Sequence, residues 1–190
     1  MLAFVDTETT GLVPGQHQVW EVSVLTVEPE TLEVVGEIDA FLRVSVAAAD
    51  PGALSMNGFY SRYPLEGTKD RGALADPAEV ALAIAINTAD ATIVGMNPRF
   101  DMAHLQALLH GAGLVPAWRH SPEDARTRAG AVAGMDPPYK MKDLLGWYGL
   151  AGMLDEARGL RHTARGDAQI ALALYKAARE RTDLRENRKR

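Results

Sequence analysis

The sequence predicts an α/β domain in which helices cover a mixed β-sheet, and two patterns carry this prediction. The beginning of the chain contains three apolar, valine-rich segments joined by short turns, which is typical of an antiparallel meander. The rest alternates helical patterns with short apolar runs, which is typical of βαβ units. Functional sites in such sheets gather at strand ends, where neighbouring connections diverge.

The predicted meander occupies the first segments of the chain. We predict strands at Leu2–Asp6, Val19–Val27 and Val34–Val44, and the turn-like residues 28–33 favour a hairpin between the last two. Residues 47–69 carry several glycines and prolines. We therefore predict a loop there, with room for one short helix.

The predicted βαβ half begins at Asp76, which can cap a helix whose first turn contains Pro77. This helix is expected to run to about Ala85. The further elements, in order, are a strand at Ala91–Gly95, a helix at Phe100–His110, a brief strand at Ala117–Arg119, a helix opened by Ser121-Pro122-Glu123-Asp124, a short helix at Lys142–Tyr148 and a final helix from Thr163 or Ala164 past Tyr175.

Length and composition bound the class of protein. The 190 residues suit one domain, which we place at 1–182, followed by a basic tail at 183–190 expected to be flexible. The basic segment Lys176–Arg190, which includes this tail, is either a solvated helix end or an electrostatic arm for a phosphate backbone. The absence of cysteine excludes disulfides and thiolate metal sites. No secretory signal or membrane-length apolar run is present, so the default expectation is a cytoplasmic protein without membrane contact.

The net charge of −5 argues against a broad surface that coats nucleic acid. Carboxylates that bind cations would account for part of this charge. Asp6 and Glu8 are the first candidates, because strand periodicity places both side chains on one face at a strand end. Two adjacent buried carboxylates raise each other's pKa unless a cation lies between them, and Mg²⁺ and Mn²⁺ prefer oxygen ligands. Taken alone, an ordinary acidic strand end is the favoured explanation.

Two further acidic positions begin predicted helices. Asp101 lies in a first helical turn after a strand, and Asp167 lies in the first turn of the final helix, five residues after His162. An acid in a first turn also complements the helix dipole, so each position alone has a simple structural explanation. A neutral imidazole can take a proton from water, which makes His162 a candidate base. His104 is a rival that we interpret mainly as a partly buried helix residue.

Together, and in this order, the three segments resemble the DEDDh family of 3′–5′ exonucleases, which includes the proofreading ε subunit of bacterial DNA polymerase, RNase T and oligoribonuclease. The stretch Phe4–Leu12, FVDTETTGL, resembles the first motif, and Val94–Leu105 resembles the second. The stretch His162–Asp167, HTARGD, is similar to the third motif, H-x-A-x-x-D. The sister branch has tyrosine where this chain has Thr163, so the resemblance is to the histidine branch.

The resemblance implies an RNase H-like fold with a five-stranded mixed sheet of order 3-2-1-4-5, whose first three strands are antiparallel. It also implies two divalent cations, Mg²⁺ or Mn²⁺. Asp6 would contact both cations, Glu8 and Asp167 would hold one, and Asp101 would support the other directly or through water. His162 would be the general base.

The family's substrate is the 3′ end of a single-stranded nucleic acid, which is cut to nucleoside 5′-monophosphates. By resemblance, the expected substrate-binding residues are Thr9, Thr10, Gly11, Leu12, Asn97 and Phe100. We predict a DNA exonuclease. The sequence leaves open an exoribonuclease of the RNase T and oligoribonuclease type, or a non-catalytic binding subunit. It also leaves open whether the chain works alone, as a homodimer or with a polymerase.

Overall fold

The computed structural model describes residues 1–64, 74–154 and 162–187. Its centre is one five-stranded sheet of order β3-β2-β1-β4-β5. The strands are β1 (Leu2–Thr9), β2 (Val19–Val27), β3 (Val34–Phe41), β4 (Thr92–Gly95) and β5 (Arg119–Asp124). The first three strands pair antiparallel, and β4 pairs parallel with both β1 and β5. The predicted fold class and strand order are confirmed.

Seven α-helices and one 3-10 helix lie in the described part of the chain. They are α1 (Pro51–Met56), α2 (Phe59–Arg62), α3 (Pro77–Asn87), α4 (Pro98–Gly111), α5 (Ala125–Ala133), α6 (Met141–Trp147), the 3-10 helix Ala151–Leu154 and α7 (Ala164–Asn187). The predicted cap of α3 is present, because the Asp76 carboxylate accepts a hydrogen bond of 2.8 Å from the Ala78 N–H. None of these helices is both long and apolar enough to cross a bilayer.

The sheet separates two apolar layers, which fix the helices over the strand ends. On one face, Val5 and Ile93 pack against α3 and α4 through Ile84 and Leu105. On the other face, Phe4 and neighbouring strand residues pack against α7, and the Phe4 and Tyr175 rings meet edge to face at 5.3 Å. The starts of α4 and α7 therefore approach the carboxyl end of β1 from opposite faces.

One predicted element is wrong. Residues Ser121–Glu123 do not open a helix but continue β5, whose Glu123 and Asp124 are in register with Val94 and Gly95 of β4. Asp124 is the cap, accepting a 2.9 Å hydrogen bond from the Thr127 N–H, and α5 begins after it. Parallel pairing prevails over the local Ser-Pro signal because an edge strand tolerates proline. For the same reason, the brief strand predicted at 117–119 lies at 119–124.

Other boundaries shift by a few residues. The third strand ends at Phe41 rather than Val44, and α4 begins at Pro98 rather than Phe100. The predicted loop at 47–69 contains two short helices, and its residues 65–69 lie outside the described residues. Helix α7 continues through Asn187, and residues 188–190 lie outside the described part. The division into a domain and a tail remains a prediction.

A buried carboxylate cluster as candidate metal centre

Three of the predicted acids converge at the carboxyl end of β1. Asp6, Glu8 and Asp167 each offer a carboxylate oxygen, and these oxygens all lie within 4.8 Å of one another. Asp6 and Glu8 share a face of β1, and Asp167 comes from the first turn of α7. All three residues are partly buried. The name carboxylate cluster is used below for these three residues.

A register irregularity in the sheet helps to form the cluster. Glu8 pairs with Glu21, but Thr9 pairs with Val19, so Trp20 has no partner on β1. An extra residue of this kind bends the strand and re-aims the side chains beside it, and such bulges are common next to active sites. Here the irregularity falls directly after Glu8, at the point where β1 leaves the sheet.

Asp167 is held in place by contacts around the start of α7. The Gly166 N–H donates to the Thr163 hydroxyl oxygen at 3.0 Å, which satisfies one of the free donors of the first turn. Arg165 forms ion pairs with Glu37 at 2.7 Å and with Asp39 at 3.2 Å, both on edge strand β3. These contacts fix the first turn of α7 over the sheet and direct Asp167 towards β1.

Asp101 is buried beside the cluster but is not part of it. Its Oδ1 accepts hydrogen bonds from the Thr7 N–H at 3.0 Å and from the Thr7 hydroxyl at 2.8 Å. Close approach of β4 to β1 makes these bonds possible, because a Cβ on Gly95 would lie 3.0 Å from the Val5 carbonyl oxygen. Asp101 is thus attached to β1, and its predicted role as a metal ligand stays a prediction.

Burial is the main influence on the acids. It raises the pKa of Asp6 well above its ordinary value, and the charges of Asp101 and Asp167 add to the effect. It raises the pKa of Glu8 to about 8, with Glu21 adding and Arg62 opposing. It raises the pKa of Asp101 to about 7, although the Thr7 hydrogen bonds oppose the shift.

These pKa shifts describe a site in which Arg62 offsets only part of the negative charge of the acids. Near neutral pH the raised pKa values favour the protonated forms of these acids, and a divalent cation would stabilise their ionised forms. The donor set consists of carboxylate oxygens, which suit Mg²⁺ or Mn²⁺. The residues present therefore fit the cations that the sequence predicted, on the grounds of proximity, burial and ligand chemistry.

His162 lies outside the carboxylate cluster, immediately before α7. Its side chain is exposed, and its backbone has a φ of 55°, which a residue other than glycine rarely adopts. Its carbonyl oxygen accepts a 2.6 Å hydrogen bond from Arg62. The structure places this imidazole on the same turn that leads into Asp167, and its predicted role as the base stays a prediction.

The predicted substrate-binding turn after β1 is fixed by internal hydrogen bonds. The Thr9 hydroxyl donates to the Gly11 carbonyl at 2.7 Å, and the Thr10 hydroxyl accepts from the Gln18 N–H at 2.9 Å. Gly11 has no room for a side chain, since a Cβ would lie 2.5 Å from the His17 ring. These two hydroxyls and Gly11 therefore shape the turn, and any contact of theirs with a substrate remains a prediction.

The other predicted substrate-binding residues are more accessible. Leu12 is 73% exposed, in the turn that follows β1. Asn97 is exposed at the start of α4 but makes no side-chain cap there, and Phe100 is partly buried with its ring 4.5 Å from that of His104. These three side chains are available for a ligand, and their roles remain predictions.

Sequence reasoning missed Arg62 and the interaction of Glu21 with it. Arg62 forms an ion pair with Glu21 and lies 3.9 Å from Glu8. Arg62 falls in a segment predicted as loop, where no periodicity marks a buried arginine. Glu21 did carry a signal, because it is a lone charged residue in the apolar stretch VWEVSVLTV.

No protein-family model matches the chain, and no curated protein matches it. Solved structures do match. The chain has the fold found in E. coli exonuclease I. Against the complex with a dT13 oligonucleotide, the TM-score is 0.71 at 19% identity, covering 98% of this chain and 42% of that chain. The dA16 complex gives a TM-score of 0.67 at 18% identity, covering 94% and 40%.

A zinc-bound form of the E. coli exonuclease I–single-stranded DNA complex gives a TM-score of 0.68 at 19% identity. That match covers 95% of this chain and 40% of the other. The chain thus spans about two fifths of the length of the structures it matches. At these identities the likeness concerns the fold, so the activity must be argued from the site.

Proposed function

We propose that this chain is a metal-dependent 3′–5′ exonuclease that cuts single-stranded DNA into nucleoside 5′-monophosphates. The observation that carries the proposal is the convergence of Asp6, Glu8 and Asp167, whose oxygens lie within 4.8 Å of one another. The partial burial of these three residues and the raised pKa values of Asp6 and Glu8 are hard to explain as a purely structural feature, because clustered carboxylates destabilise a fold unless a cation compensates.

The fold supports this proposal in preference to other metal-dependent functions. Exonuclease I from E. coli shares the fold, and its matched structures include complexes with a dT13 oligonucleotide and with single-stranded DNA. The three motif segments also lie at the ends of β1, β4 and the start of α7, so residues distant in sequence meet at one place. A DNA strand is therefore the first substrate to test, and RNA is the second.

The proposed mechanism assigns a role to each acid. Asp6, Glu8 and Asp167 would hold the cations, and Asp101 would support them from its position against Thr7. When bound, two such cations supply positive charge to the reacting phosphate and favour ionisation of the attacking water. The carboxylates would fix where that charge lies, so the protein does not reorganise during the reaction.

His162 would accept the proton that the attacking water loses. The water oxygen would form a bond to the phosphorus of the last phosphodiester as the bond from that phosphorus to the 3′ oxygen of the preceding nucleotide breaks. This 3′ oxygen would take a proton from solvent and become the new 3′ hydroxyl of the strand. The exposed imidazole stands on a turn directly before Asp167, which suits a group that must exchange its proton with solvent. The exposed Leu12 would contact the last base, opposite the backbone fixed by Thr9 and Thr10.

The test is digestion of matched oligonucleotides, single- and double-stranded, DNA and RNA, with labels at the 3′ or 5′ end. We expect Mg²⁺ or Mn²⁺ to support release of labelled mononucleotides from the 3′ end of single-stranded DNA, and chelation to stop it. Faster release from RNA would favour the exoribonuclease. No metal-dependent cleavage of any strand would leave the non-catalytic binding subunit as the explanation.

A further inference from the structure

The guanidinium of Arg62 lies where three separate segments of the described chain meet. Its Nη1 donates to the Glu21 carboxylate on β2. Its Nη2 donates to the carbonyl oxygens of Asn57 and His162, at 2.6 Å each. The same nitrogen lies 3.9 Å from Oε1 of Glu8, a member of the carboxylate cluster. One side chain therefore connects α2, β2 and the turn before α7 at the edge of the proposed metal site.

The surroundings fix the orientation of this guanidinium. The Arg62 side chain is only 22% exposed, and its Cζ atom lies 4.8 Å from the centroid of the fully buried Trp20 ring. A guanidinium stacked on an aromatic ring keeps its plane, and its donors point in fixed directions. Lysine would present a single charged point and could not reach the carboxylate and both carbonyls in the same way.

We propose that Arg62 is a positioning residue for the exonuclease reaction, because it holds the His162 turn next to Glu8. This inference rests on the proposed function. The carbonyl bond fixes His162 in a backbone conformation, φ 55°, that the residue would rarely adopt unaided. Arg165 holds the same turn from the other side through Glu37 and Asp39. The two arginines together set the place of the imidazole relative to the carboxylate cluster.

Substitution of Arg62 has different effects on melting temperature and kcat, depending on whether the residue only stabilises the fold or also positions His162. Loss of a structural contact lowers the melting temperature and leaves the turnover of the folded fraction unchanged. Loss of positioning lowers kcat while KM stays the same, since binding of the nucleic-acid strand does not depend on His162, the proposed general base. A displacement of about 1 Å in a catalytic group can cost about 10²-fold in rate.

The experiment compares Arg62→Met and Arg62→Lys with Arg119→Met, which removes an exposed ion pair to Asp90 on the far edge of the sheet. Steady-state kinetics on a single-stranded 3′ end is one measurement. Hydrogen exchange at the Gly166 and Asp167 amides, without nucleic acid, is the other. Both amides bond to Thr163 in the turn that Arg62 anchors.

We expect both Arg62 variants to lose about 10²-fold in kcat at unchanged KM. We expect their exchange at these amides to rise by about tenfold, the size of one lost hydrogen bond to a charged group. Arg119→Met should match the wild type in both measurements. If Arg62→Met does not fold, Arg62→Lys, which keeps the charge and the aliphatic stem, decides the matter.

Two results overturn the positioning role alone, provided that the wild type is active. One is unchanged kcat or unchanged exchange in the folded Arg62 variants. The other is full recovery by lysine, which would show that a single positive charge suffices. A wild type that cuts no strand with Mg²⁺ or Mn²⁺ overturns the proposed function itself, and the positioning role with it.

Discussion

Replacing Asp6 with asparagine is expected to reduce cleavage of a single-stranded 3′ end by about 10³-fold, the upper end of the range for losing one preorganised electrostatic group. Asp6 lies between the other acids of the site, and the charges of Asp101, Asp167 and Glu8 all raise its pKa. Asparagine keeps the shape but removes the charge that would hold the cations. Initial rates of mononucleotide release, with Mg²⁺ in excess, measure the effect.

The same Asp6→Asn substitution should raise the stability of the metal-free protein although it lowers the cleavage rate. Because the folded-state pKa of Asp6 lies above its ordinary value of 3.8, ionising it in the metal-free protein costs stability as the pH rises through the folded pKa. Asp6→Asn removes that cost, so the metal-free variant should melt higher than the wild type at pH 8. Asp90→Asn is the matched control, because Asp90 is an exposed residue in the turn before β4. Normal cleavage by Asp6→Asn would falsify the metal assignment.

Replacing His162 is expected to lower kcat by about 10²–10⁴-fold, the usual contribution of a general base. Asparagine is the better replacement here, because it tolerates the positive φ of this position more readily than alanine does. The variant should keep its fold and its affinity for the strand, so KM should change little. The dependence of kcat on pH should differ from that of the wild type.

The matched control for His162→Asn is His120→Ala, an exposed histidine on the edge strand β5. It should leave kcat and its pH profile unchanged. If His162→Asn kept the wild-type pH–rate profile, another group would be the base. The buried His104, four residues from Phe100 on α4, would then be the next histidine to replace.

The sequence predicted those parts of the fold that depend on local pattern. β1 and β2 are almost wholly buried, and the apolar run that opens β1 and the valine-rich β2 identified both as strands. The polar end of β1, Thr7–Thr9, was not predicted as strand. Asp6, Glu8 and Asp167 were found because each lies at an element boundary in a motif with a family resemblance. β5 was misplaced because its pairing with β4 is a non-local contact, whereas Ser121-Pro122 carried a local helix signal.

The remaining details depend on contacts that no local pattern records. Asp101 was predicted beside the metals, but its bonds to Thr7 come from the parallel approach of β4 to β1. Arg62 lies 41 residues from Glu21 and 100 from His162 in the sequence. No local pattern around Arg62 indicates that its side chain contacts these two residues. A charged residue in an apolar strand, such as Glu21, is the one signal that points to a buried partner.

The most direct measurement of the central claim is a calorimetric titration of the metal-free protein with Mn²⁺ at pH 8 and at pH 5.5. Cations bind ionised carboxylates, so binding should release protons near neutral pH and weaken at the lower pH, where Glu8, with a pKa of about 8, and Asp101, with a pKa of about 7, hold their protons. We predict saturable binding of two ions at pH 8 that Asp6→Asn abolishes. Absence of saturable binding at pH 8, or equal binding by Asp6→Asn, would contradict a metal centre built on the carboxylate cluster.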